Sequence, residues 1–79
     1  MELKYKYLEF TEVDNKPRKT RWFSVINHVT DCDLGHVEWD RGWRQYVWVT
    51  PTLEVPLKFS RSCHRDMADF LQQLMDERK

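Results

Sequence analysis

The chain has 79 residues, its 13 Lys/Arg cancel its 13 Asp/Glu, and 41% of it is hydrophobic against 33% charged. That length holds one domain near the lower limit for a single unstapled core, and the composition excludes a disordered tail. Zero net charge and a pI near 6.8 remove the electrostatic attraction that supplies most of the affinity of polyanion binders.

Residues 3–13, "LKYKYLEFTEV", alternate lysine with aromatic or aliphatic side chains but slip in phase at Tyr7–Leu8, the pattern of a bulged or edge strand. Its lysines discourage edge-to-edge pairing. "DNKPRKT" (14–20) is turn chemistry and predicts a hairpin loop. Residues 21–29 place Phe23, Val25 and Val29 on one parity and Trp22 and Ile26 on the other, a strand partly buried on both faces. "TDCD" (30–33) is a second turn.

Strands over 34–39 and 43–50 flank "DRG", where Gly42 is expected to supply the positive φ of a tight hairpin. A further strand is predicted over 53–59, with Leu53, Val55, Leu57 and Phe59 on one face and Pro56 making it an edge strand or an extended arm. From Ser62 the period becomes helical: Cys63, Met67, Phe70, Leu71 and Leu74 form one apolar stripe of a helix over 62–77. Ser62 or Ser60 is the expected N-cap, with Asp66 in the first turn and Arg78 and Lys79 in the last, matching the helix dipole. The sum is an α+β fold: a single domain over 1–79 with an antiparallel sheet of four to five strands and one C-terminal α-helix packed on one face.

Cys32 and Cys63 are expected as free thiols, because no stretch has the length or flanks of a signal peptide or membrane span and the expected location is the cytoplasm. His28, Cys32 and His36 stand four apart, but paired C-x-x-C knuckles are absent and no metal is expected. Cys63 and His64 are helix neighbours that project about 100° apart, which rules out a mutually activated nucleophile. Asp66, Asp69, Asp76 and Glu77 read as the solvated face of the helix. With two glycines in all there is no phosphate-cradling loop. The protein is therefore not expected to be an enzyme or to hold a cofactor, and no small-molecule substrate or membrane is expected among its partners.

The aromatic hairpin "LGHVEWDRGWRQYVWVTP" (34–51) carries the functional expectation. A three-residue loop would put Val37, Trp39, Trp43, Val47 and Val49 on one face and His36, Tyr46 and Trp48 on the other; a two- or four-residue loop would set Trp39 opposite Arg44. Both faces then carry aromatics, and one helix covers only one of them. Some rings belong to the core, while the remainder form an exposed patch of the kind that marks an interface. The candidate partner-binding residues are Trp39, Arg41, Trp43, Arg44, Tyr46 and Trp48.

The order Trp22, Leu34-Gly35, Trp39, Trp43-Arg44, Tyr46, Trp48, Pro51, Cys63 and Phe70 resembles a group of small proteins encoded in bacteriophages and prophages. In that group a Leu-Gly-x-x-x-Trp segment, a turn, Trp-Arg-x-Tyr, Pro and a helix-opening Cys follow one another. The likeness spans about residues 20–75, and Trp48 and Met67 depart conservatively from it. It implies a phage setting and no particular activity. The leading expectation is a non-enzymatic protein-binding module, a phage accessory or counter-defence protein that inhibits a bacterial host protein by binding, with homodimerisation as a way to present the patch. The alternative is a small nucleic-acid-binding domain that uses Arg41, Arg44 and Arg65 with Trp39 and Trp43 on a sheet.

Overall fold

The structure, a computed structural model, describes residues 2–13, 20–51 and 58–78. The strands are β1 (Leu8–Glu12), β2 (Phe23–Asn27), β3 (Cys32–Asp40) and β4 (Gln45–Val49), followed by one helix, α1 (Arg61–Glu77). The sheet is antiparallel throughout, with order β1-β2-β3-β4. The helix packs on one face, giving the expected α+β arrangement. The loop expected at 14–20 and the strand expected at 53–59 lie outside the described residues, apart from Thr20 and from Lys58 and Phe59.

Alternation decides which side chains meet the helix. Leu8 and Phe10, Phe23 and Val25, Leu34 and Val37, and Tyr46 are buried on the inner face of the sheet, against Cys63, Met67, Phe70 and Leu74 of α1. These helical positions recur at the spacing that makes one stripe. Leu71, assigned to the same stripe, is only partly buried at its margin. Phe70 is the hub: its ring stacks on Phe10 at 3.7 Å between centroids and meets Phe23 edge-on at 5.0 Å.

The β2–β3 ladder shifts register between Val25 and Ile26. Leu34 is the extra residue, and the bulge turns it into the core while Gly35 takes the place opposite Val25. Gly35 has φ +106, and a Cβ there would collide with the carbonyl oxygen of Val49. Only glycine tolerates both conditions.

Three expectations are corrected. The strand in residues 3–13 is an edge strand as expected, β1, but it does not run the whole length: Tyr5 N–H donates to Leu8 O at 2.7 Å and Phe10 N–H to Leu3 O at 2.8 Å, so the chain folds back and Lys4 pairs with Glu9. The phase slip at Tyr7–Leu8 marks the exit from that turn. The helix begins at Arg61, one residue early, because Ser60 is the cap and its Oγ accepts from Cys63 N–H at 3.2 Å. Asp66 therefore falls beyond the first turn, and neither terminal turn carries the expected dipole-matching charge. Arg78 caps the C-terminus instead, and its guanidinium lies 3.9 Å from the Trp39 ring centroid.

Charge at the helix end is used for tertiary ties. Arg21 reaches Glu12 of β1 through Nε and Nη2, both at 2.9 Å, and Glu77 of α1 through Nη1. At the N-terminal side, Tyr5 donates its hydroxyl to Asp69 at 2.7 Å and accepts from Gln73 at 2.8 Å. Burial, then the Asp69 carboxylate, raises the Tyr5 pKa and keeps the phenol protonated. These helix carboxylates, expected as a merely solvated face, are partners of the sheet side.

The hydrogen bonds from Arg21 hold the Glu12 carboxyl below its ordinary 4.5. A depressed carboxyl contributes stability that is complete above the unfolded value and lost as pH falls through the lower folded value. Acid titration should therefore weaken the wild type more than a Glu12→Gln variant below pH 4.5. Both partners are about two-fifths exposed, so screening makes the difference small. Parallel thermal melts across acid pH measure it, and superimposable slopes for the two proteins would reject the tie.

Candidate functional site

The β3–β4 hairpin pairs Asp40 with Gln45, Trp39 with Tyr46, Val37 with Trp48 and His36 with Val49. Its loop is therefore the four residues between Asp40 and Gln45. The three-residue alternative is excluded and the four-residue one holds, although Trp39 stands opposite Tyr46 rather than Arg44. Val37, Trp39, Tyr46 and Trp48 share the inner, helix-covered face, while His36, Glu38, Val47 and Val49 share the outer one. The positive φ falls at Arg44 (φ 57), not at Gly42.

The candidate residues consequently divide into two groups. Tyr46 is 5% exposed and its hydroxyl accepts from Arg21 N–H at 3.2 Å. Trp39 meets Tyr46 edge-on at 5.3 Å and lies under Arg78. Trp48 donates its indole N–H to Leu34 O at 2.7 Å and meets Phe59 edge-on at 4.6 Å. Tyr46 thus belongs to the core, whereas Trp39 and Trp48 are half-buried on its margin, with Arg78 and Phe59 packed against them.

Arg41, Trp43 and Arg44 form the second group, all exposed at the hairpin tip, with Trp43 at 72%. Asp40 holds the loop: its Oδ1 accepts from Trp43 N–H at 2.8 Å and its carbonyl accepts from Arg44 N–H at 2.8 Å. An aspartate that closes its own turn fixes the backbone locally, so the exposed indole sits on a defined loop that also carries Arg41 and Arg44. Asp40 is thus the clasp of the loop. The signal was present as Asp at the first position of the turn.

The outer face holds a second, unanticipated cluster. Trp22 stacks on His36 at 4.5 Å, and His36 Nε2 lies 2.6 Å from Glu38 Oε1. The four strands place Glu9, Asp33, Glu38 and, at the end of β3, Asp40 on this face and no Lys or Arg; outside them, Lys4 sits across from Glu9. Arg65 lies on α1 and is exposed, so the residues expected for a sheet-borne nucleic-acid reader do not share one sheet face.

The two cysteines are free, Cys63 buried and Cys32 partly so. His28 Nε2 is bonded to Tyr5 O at 2.9 Å. Among the described residues no three His, Cys, Asp or Glu gather as a metal set, and no helix is long and apolar enough to cross a membrane. No family model, curated protein or solved structure matches the chain.

Proposed function

We propose that this protein is a non-enzymatic binding module, a phage accessory or counter-defence factor that inhibits a bacterial host protein by occupying part of its surface with the β3–β4 tip. One observation carries the reading: Trp43 is 72% exposed at the end of a loop braced by Asp40. An indole left in water has no use in the fold, whereas tryptophan flanked by arginine is the composition of interface hot spots. The phage-like order of residues supplies the setting, and the bulk of the sheet and helix serves as a mount. Trp39, Tyr46 and Trp48 act here by stiffening the hairpin from its inner side.

The outer face favours a protein partner over nucleic acid, since Glu9, Asp33 and Glu38 repel phosphate. Wild-type bait is expected to capture a partner from host lysate, and a Trp43→Ala variant to lose about 30-fold or more in affinity for it, the scale of a hot-spot truncation. Arg41→Glu with Arg44→Glu should do the same without altering the melt. Undiminished capture by both variants would reject the tip. Titration of indole fluorescence with duplex and single-stranded DNA at low and moderate salt separates the nucleic-acid alternative, which requires a steep salt dependence.

A further inference from the structure

The two edges of the sheet are treated differently. At β1 the chain folds back, so that Lys4 bridges to Glu9 and Phe10 N–H is taken by Leu3 O. That places a lysine and a backbone partner on the outer side of the first strand, the usual protection of an edge. At β4, "QYVWV" (Gln45–Val49) contains no charge and no proline. Its pairing with β3 runs without a bulge, and no described residue outside β3 bonds to its backbone.

The direction of its free groups follows from Gly35. The Val49 carbonyl lies against Gly35, so Val49, and by alternation Val47 and Gln45, aim their backbone groups at β3. Tyr46 and Trp48 aim theirs outward. We infer that β4 pairs antiparallel with β4 of a second copy of this chain, about a two-fold axis through Val47, merging the two sheets into one. Tyr46 then stands opposite the partner's Trp48 and exchanges both backbone bonds with it, about four in all.

Self-pairing is favoured over a foreign strand because the segment is complementary to itself in this register. The axis sets Val47 against its own copy and Gln45 against the partner's Val49 on the outer face, with aromatic opposite aromatic on the inner one, and no like charges meet. Val49 is 36% exposed in the single chain and gains a neighbour. This surface is separate from Arg41, Trp43 and Arg44, so it stands or falls without the proposed tip.

Sedimentation velocity over a wide concentration range tests it. The wild type should move from 9.8 kDa toward twice that mass as concentration rises, while Val47→Lys, which opposes two like charges at the axis, stays monomeric. Val47 pairs with its own copy as a closely spaced, non-bonded pair at about 4.5 Å between Cα atoms, within disulfide reach. Val47→Cys should therefore cross-link into a covalent dimer on mild oxidation, well above the wild-type background from Cys32 and Cys63, and Gln45→Cys, off the axis, should not. A wild type that stays monomeric throughout would overturn the inference, as would cross-linking of Gln45→Cys as readily as Val47→Cys.

Discussion

Replacing Gly35 by alanine is expected to leave most of the protein unfolded at room temperature, whereas the same change at Gly42 should be within about 0.5 kcal/mol of neutral. Two independent costs meet at Gly35. Its φ of +106 lies where a side chain is strained by about 1–3 kcal/mol, and its new methyl would strike the Val49 carbonyl, adding overpacking of about 1–3 kcal/mol. Relief requires moving β4 away from β3, which opens the hairpin that bears the tip. A domain this small holds only about 3–5 kcal/mol in reserve, which the two costs together, up to about 6 kcal/mol, exceed. Gly42 differs because its φ is not positive and a Cβ there would meet only the Asp40 carboxylate, at 3.3 Å. Urea titration by circular dichroism measures both variants, and a Gly35→Ala midpoint equal to that of wild type would remove the bulge from its structural role.

Phe70→Ala should be of similar size. The side chain is fully buried, stacked on Phe10 and edge-on to Phe23, so its removal opens a cavity where β1, β2 and α1 meet. Truncations of this kind cost about 3–5 kcal/mol, again close to the whole stability. Phe70→Leu retains most of the volume but loses the stacking, and is expected to lose less and remain folded. Comparing the two by thermal melts separates bulk from ring geometry. Equal losses would mean that the aromatic contacts are what matter; a mild Phe70→Ala would mean that the helix is not the lid of the core.

These two residues also show what can be read before a structure exists. Phe70 belongs to a stripe at helical spacing, and the buried set Cys63, Met67, Phe70 and Leu74 follows from that periodicity alone. The alternating strands were legible for the same reason. Gly35 was legible only as part of Leu-Gly; that it sits beside a bulge depends on pairing with β2 and β4, which local pattern does not encode. The fold-back at 3–9 is likewise a matter of backbone partners, and lysine alternating with apolar residues fits a straight strand equally well.

The site suffered from one ambiguity. Loop length sets the parity of the second strand, and the four-residue loop moves Tyr46 and Trp48 from a candidate surface into the layer under the helix. A pattern clue existed: only an even loop joins Val37 and Trp39 with Tyr46 and Trp48 while leaving His36, Glu38 and Gln45 together on the other face. Arg78 over Trp39 was beyond any local rule, since the two residues meet only after the helix has docked. With Arg78 packed on Trp39 and Phe59 on Trp48, the exposed aromatic surface of the hairpin contracts to Trp43.

Asp40 closes the turn through backbone amides of Trp43 and Arg44, so it clasps the loop without regard to which side chains the loop displays. What the hairpin shows to other molecules is thereby decoupled from what keeps the domain upright. Arg41 and Trp43 can be exchanged for other residues while the scaffold persists, because the clasp engages only backbone amides. The same property makes the loop a natural position for grafting or randomising short sequences on this framework.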